Sequence, residues 1–448
     1  MSTVTDQHDG HPASPVSIPP ADVGPVRRVA LLAAAAGGVA YFALGFINLG
    51  TAGGTGVRDF FLAYLVGWVF CLFLPFGSMA LLMIGYLTQA SWQLILRRSF
   101  QAATRTLPVV ALLFLPIAVS LFVNVPAGEG SGTAATTETA SPYWWADKTW
   151  TSGTPADVGA AMGVRPEAVE ENQHKIHDYL NPVFVLVRFV LYFVIWGVFV
   201  YFLNKWARPA EEADDARAKY NLHAISGPGV IVWALSGTFA LTDWVMSVEP
   251  SWASSMFPVV FGMNAWICAL SLAALTFYAL NADKPGVMAI VKDKFRIDTG
   301  TMLFGFTMLW AYASFCQYML IWAGDLPEEI MYYRKRGDHG WEYLAYVLMG
   351  FHWLLPFVVF LFREVKTSPT AMKRMAVLLL LVCALDVVWW IVPAIPHPAG
   401  WLHVPMAVAA VVGLGGLWGL VYASQLAKRP LLPENSETGF LAAWGHHH

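Results

Sequence analysis

Long apolar runs alternate with short polar intervals along the chain, and the length of the runs decides the fold class. A helix needs about 20 mostly apolar residues to cross a hydrocarbon core of roughly 30 Å. Ten runs meet that length: Val29–Gly50, Phe60–Leu87, Leu107–Val125, Val183–Asn204, Gly229–Val248, Met256–Leu280, Gly300–Ala323, Trp341–Phe362, Met375–Ala394 and Trp401–Gln425. The stretch from Thr299 to Gly324 has no charged residue at all. Membrane β-strands are about ten residues long and alternate in polarity, which these runs do not. The pattern predicts an all-α integral membrane protein with ten transmembrane helices.

Composition agrees. Only 13% of residues are charged, against roughly 25% in an ordinary soluble domain, and 57% are apolar, with a mean hydropathy of +0.53. Net charge is −3, which argues against nucleic acid as a partner. Cys71, Cys268, Cys316 and Cys383 each fall inside a run and form no C-x-x-C pair. They read as small buried hydrophobes, not iron–sulfur or c-type haem ligands. No H-E-x-x-H zinc pattern occurs. His352 is the only histidine deep in a run, and His403 stands at the edge of the tenth, so a bis-histidine haem is not expected either.

Charge in the intervals gives an orientation. Ten spans put both termini on one side, and 19 of the 27 Lys and Arg residues fall on that side. By the positive-inside rule this side is cytoplasmic. Residues 1–28, rich in Pro, Ser, His and Asp, then form a disordered cytoplasmic tail, and 426–448 a second tail. The apolar run from Val29 is too long for a cleaved signal. The long interval 126–182 lies outside, with eight acidic and three basic residues. Its Ser-Pro-Tyr-Trp-Trp stretch at 141–145 and its Trp150 suit either anchoring at the membrane interface or docking of a partner.

A repeat divides the spans. The fifth holds Leu241-Thr-Asp243-Trp244, with Pro250 seven residues after the aspartate; the ninth holds Leu385-Asp386-Val-Val-Trp389, with Pro393 at the same offset. Both run in the same direction in the topology above. This predicts two parallel four-helix bundles, 58–250 (spans two to five) and 256–395 (spans six to nine). One helix flanks each, 29–50 and 401–425. Many secondary transporters have inverted repeats instead.

Ionisable groups at bilayer depth cost at least a few kcal/mol, so each needs a partner or a wet cavity. Arg188, Asp243, His352 and Asp386 are the groups set inside spans. At 1.5 Å per residue Arg188 and Asp243 share a depth of roughly 8 Å and can pair between neighbouring helices. His352 and Asp386 can couple in the second bundle, as histidine and carboxyl groups in series suit proton relay. Either set reads as a proton track or quinone-headgroup site, or as a buried pair that fixes helix register. Glu249, at the outer end of the fifth span, either extends the track or marks the water boundary. Gln317 suits a hydrogen bond between helices. The segment with Asp325 and Glu328 reads as an acidic loop.

Three stretches together resemble a known family. They are Arg105-Thr-Leu-Pro108 through Phe114-Leu-Pro116, Asp243-Trp-Val-Met-Ser-Val-Glu249-Pro250-Ser-Trp252, and Trp310-Ala-Tyr-Ala-Ser-Phe-Cys-Gln317-Tyr-Met-Leu-Ile-Trp322-Ala-Gly-Asp325-Leu-Pro327-Glu328-Glu329. The chain resembles the F subunits of alternative complex III, the bacterial quinol:electron acceptor (cytochrome c) oxidoreductase, which are similar to NrfD-like membrane subunits of polysulfide reductase. The resemblance implies a multi-pass subunit of the respiratory chain in the bacterial inner membrane. It implies quinone (menaquinone or ubiquinone) interaction or proton translocation without a redox metal or covalently bound cofactor in this chain. It also implies partners: a paralogous C subunit, an iron–sulfur subunit, c-type haem subunits and a terminal oxidase. Two other readings stay open. One is a stand-alone secondary transporter, with Pro75 and Pro116 as helix interruptions; the other is a purely structural anchor.

Overall fold

The computed structural model describes residues 22–52, 55–126, 137–146, 154–156, 167, 169–170, 178–249, 252–281, 291, 293–337, 340–394 and 402–432. Most of the two tails, most of the 126–182 interval, Pro250 and Trp150 lie outside the described residues. The chain is helical. Its main helices are α1 (Gly24–Ala52), α2 (Thr55–Thr88), α3 (Ser91–Thr104), α4 (Leu107–Leu112), α5 (Leu115–Ser120), α6 (Pro182–Glu212) and α7 (Ala216–Trp244). There follow α8 (Phe257–Asn281), α9 (Asp293–Gly324), α10 (Pro327–Gly337), α11 (Trp341–Leu348), α12 (Leu355–Leu361), α13 (Arg363–Thr367), α14 (Pro369–Ile391) and α15 (His403–Leu426). The strands Asn124–Pro126 and Thr137–Thr139 form a small antiparallel ribbon.

Among the described residues, nine helical segments are long and apolar enough to cross a membrane. α9 is long enough, at 32 residues, but Gln317, its tyrosines and its charged first turns make it less apolar. The protein is therefore an all-α, multi-pass membrane protein in contact with the bilayer. Large apolar side chains are exposed along α1 and α6, including Val29, Phe46, Val187 and Val194. A soluble protein does not expose faces of that extent.

α2 lies at the centre, buried along almost its whole length. It contacts α1, α3, α7, α8, α14 and α15. α6 packs on α7 and α4, and α8 packs on α9 and α14. The first and last helices are neighbours: α1 runs along α15, and both lean on α2. Small residues make this seam possible. A Cβ on Gly416 would stand 2.2 Å from the Ala34 nitrogen, and one on Gly37 2.3 Å from the Gly413 nitrogen. Backbones this close need glycine, as in other membrane helix pairs. The flanking helices expected on each bundle thus share one side of the molecule.

Three of the polar intervals are largely helical. Helix α3 occupies 91–104, and an apolar segment runs on from Trp92 to Ser120. Its polar residues are absorbed internally: Arg98 Nη1 lies 2.7 Å from Glu211 Oε2, and Gln101 Nε2 donates to Glu211 Oε1 at 2.6 Å. In the interval 205–228, α6 and α7 extend to a short link, where Asp215 accepts from the amides of Arg217 and Ala218 and so caps α7. The segment after α9 is helix α10. Pro327 at its start and Arg334, Lys335 and Arg336 in its last turn suit the positions and dipole of a helix.

Prolines act locally. Pro75 stays inside the unbroken α2. Pro108 and Pro116 start new helical segments, α4 and α5. Nearby carbonyls find partners on α2: Trp68 Nε1 donates to Val110 O at 2.8 Å, and the Tyr64 hydroxyl to Leu113 O at 2.9 Å. Backbone groups in a bilayer need such internal partners.

Candidate functional site

The four ionisable groups of the spans are all buried in the protein and none faces the membrane. They divide into two sites of different character.

In the first site, Arg188 on α6 and Asp243 on α7 form a bidentate pair. Arg188 Nε donates to Asp243 Oδ2 and Nη2 to Oδ1, each at 2.8 Å. The Tyr192 hydroxyl, one turn further along α6, donates to Oδ2 at 2.9 Å. Aromatic rings close the site. The guanidinium carbon lies 3.9 Å from the Tyr179 ring centre and 4.4 Å from that of Phe184. The segment 137–146 forms part of the cover: the Tyr143 hydroxyl donates to Trp244 O at 2.9 Å, and Tyr143 stacks on Trp145. Both are buried. Of the aromatics expected at the membrane interface or on a docking surface, Tyr143 and Trp145 are packed inside the chain, Trp144 is half-buried, and Trp150 lies outside the described residues. Burial pushes the Tyr143 phenol well above its usual pKa, so it stays a neutral donor.

The second site is more open. Asp386 on α14 has no cation within ion-pair distance among the described residues. Its Oδ2 accepts from Trp310 Nε1 on α9 at 2.9 Å. The same indole stacks on His352, with ring centres 3.8 Å apart. No hydrogen bond joins His352 to Asp386; Trp310 links them. His352 Nε2 lies 3.9 Å from Cys383 Sγ, and its Nδ1 is buried without a hydrogen-bond partner. His352 belongs to a π-helical turn, Met349–Leu354. Pro356 follows four residues after His352, has no amide to give its carbonyl, and would clash with it in a regular helix. Such π turns are frequent at functional sites.

Beside Asp386 is a cavity of about 580 Å³ between α9, α11, the π turn and α14. Trp310, Tyr318, Trp353, Trp389 and Trp390 supply much of its aromatic wall, and Asp386, Gln317 and Ser314 are among its polar groups. Gln317 also bonds to Tyr333, whose phenol burial pushes up to about 12. A mostly apolar cavity with a few placed polar groups is the usual form of a small-molecule site.

Glu249 is buried in the protein and paired. Its Oε1 lies 3.2 Å from Arg336 Nη1. Arg336, only 1% exposed, also donates to the carbonyls of Trp389, Trp390 and Tyr332 at 3.0, 2.7 and 2.9 Å. It therefore ties the segment after α7 to the end of α14, next to the cavity wall. In the sequence Arg336 is hidden in a basic triplet at a helix end. Asp325 is exposed in a left-handed turn (φ 47°) and takes no part in the cavity wall. The side chain of Glu328 lies outside the described ones. Among the described residues no group of three or more His, Cys, Asp or Glu is placed to hold a metal.

Asp243 and Asp386 thus have different partners. Asp243 precedes the short 3-10 turn Met246–Val248, and Asp386 precedes Val392–Ala394. One carboxylate is neutralised by an arginine; the other receives an indole and borders a cavity. No protein-family model matches the chain, and no curated protein matches it in sequence, so the chemistry of both sites is argued from their own residues.

Proposed function

We propose that the chain is a membrane subunit of a respiratory quinol:electron acceptor oxidoreductase of the alternative complex III type, and that its second half binds a quinone headgroup. The carrying observation is the aromatic cavity with the Asp386 carboxyl and the Gln317 amide in its wall. A quinone ring is flat and apolar on its faces and polar at two opposite oxygens. Tryptophan and tyrosine rings suit its faces. Asp386 suits a hydrogen bond from a quinol hydroxyl, and Gln317 Nε2 one to a quinone oxygen. Asp386, with no cation in contact, also suits taking up a proton and passing it on. Glu249 and Arg336 adjoin the cavity wall, as Arg336 bonds to the carbonyls of Tyr332, Trp389 and Trp390.

In this reading α9 is a tenth span, the chain forms two four-helix bundles, and both termini face the bacterial cytoplasm. The 19-to-7 division of basic residues between the two ends supports that orientation. Electrons pass through iron–sulfur and c-type haem groups of partner subunits, among them a paralogous C subunit, and not through this chain. The reading is tested by mild solubilisation of native membranes followed by affinity capture of this chain. The expected result is co-purification of subunits with c-type haem and iron–sulfur absorption, with quinol oxidation in the captured complex. Isolation of the chain alone with full activity in solute transport would contradict it and favour the transporter.

A further inference from the structure

A second cavity among the described residues lies on the outer flank of the helices. It is a groove of about 730 Å³ between α4 and α6. Its walls are apolar, with Pro108, Phe193, Val194 and Gly197 among them. Gly197 leaves open space in the groove: a Cβ there would meet nothing within 4 Å. Val190 and Val194 are exposed, so the groove is open towards the lipid.

One end is different. Arg105 and Lys205 both line the groove there. Arg105 Nε donates to Asn204 Oδ1 at 2.9 Å, and no carboxylate among the described residues lies within ion-pair distance of its guanidinium. Glu211, the buried carboxylate at this end, is engaged by Arg98 and Gln101. Lys205 is exposed, and its ammonium stands 5.5 Å from the Tyr201 ring centre. Two cations without carboxylate partners among the described residues thus cap an apolar trough, at the end of the helices where basic intervals predominate.

We propose that this groove holds one anionic diacyl phospholipid. Its phosphate sits between Arg105 and Lys205, and an acyl chain lies along α6 over Gly197. The charge pattern selects the ligand: an apolar chain alone would need no cations, and a soluble anion would need no apolar trough. Basic pockets between membrane helices recognise anionic headgroups in this way.

The test uses the full chain, purified in mild detergent and stripped of lipid. Native mass spectrometry follows the binding of phosphatidylglycerol and of phosphatidylcholine with the same acyl chains. The unaltered protein is expected to prefer phosphatidylglycerol. The double variant Arg105→Gln/Lys205→Gln is expected to bind it roughly thirtyfold more weakly, and Lys205→Gln alone, at an exposed position, about fivefold. Phosphatidylcholine, whose phosphate is compensated by its own choline, should lose much less in both variants. Gly197→Leu, which fills the trough and leaves the cations in place, should weaken both lipids. Circular dichroism checks that each variant remains helical. Unchanged phosphatidylglycerol binding in Lys205→Gln and Gly197→Leu would overturn the proposal. So would equal affinity of the unaltered protein for the two lipids, or displacement of phosphatidylglycerol by a quinone analogue as readily as by itself.

Discussion

Replacing Arg188 with methionine is expected to destabilise the protein by about 3–5 kcal/mol, because it leaves a buried carboxylate without its counter-charge. Asp243 is fully buried and is held by two guanidinium hydrogen bonds and one tyrosine hydroxyl. Tyr192 alone cannot replace a cation. Combining Arg188→Met with Asp243→Leu removes both charges, and should recover at least half of the loss, since the desolvation cost disappears with the pair. Equilibrium unfolding in mixed detergent micelles measures both. A loss below about 1 kcal/mol for Arg188→Met would instead be the behaviour of a solvated pair, and would contradict the closed aromatic site. The pair is thus expected to join α6 to α7 and not to conduct protons.

Asp386→Asn should behave in the opposite way. No cation is left unpaired by the change, and the asparagine oxygen can still accept from Trp310 Nε1, so little stability is expected to be lost. With its oxygen held by Trp310, the asparagine turns its amide N–H towards the quinol hydroxyl, and a buried polar group left without its partner costs about 1–3 kcal/mol. Binding of a short-chain quinol analogue should therefore weaken about ten- to a hundredfold. Quenching of tryptophan fluorescence reports this binding, because Trp310, Trp353, Trp389 and Trp390 line the cavity. Unchanged affinity in Asp386→Asn, together with the normal stability expected, would remove Asp386 from the site.

Much of the first site was legible in the sequence. Two opposite charges at matched depth in successive apolar runs have few ways to be satisfied except by each other, and Arg188 and Asp243 do so. The second site was legible only in outline. Asp386 and His352 stand out as titratable groups in apolar runs, but the residue between them, Trp310, has no feature that separates it from the other 19 tryptophans. Its role depends on how α9 crosses α14, which periodicity does not determine. Arg336 was hidden for a related reason. A basic residue after a span normally marks the water boundary, and only tertiary packing reveals that Tyr332, Glu249 and two carbonyls enclose it. The helices α3 and α10 are not marked by apolar length, because charged residues interrupt both. Buried pairing of Arg98 with Glu211, and a proline start with a basic last turn, allow a helix to continue through polar sequence.

The central claim is that the cavity beside Asp386 receives a quinone headgroup. Photolabelling with an azido-quinone in native membranes, followed by peptide mapping, tests it most directly. The account predicts label on α9 between Met308 and Tyr318 and on α14 between Asp386 and Trp390, removed by excess unlabelled quinone. Label confined to partner subunits, or to the groove between α4 and α6, would contradict it.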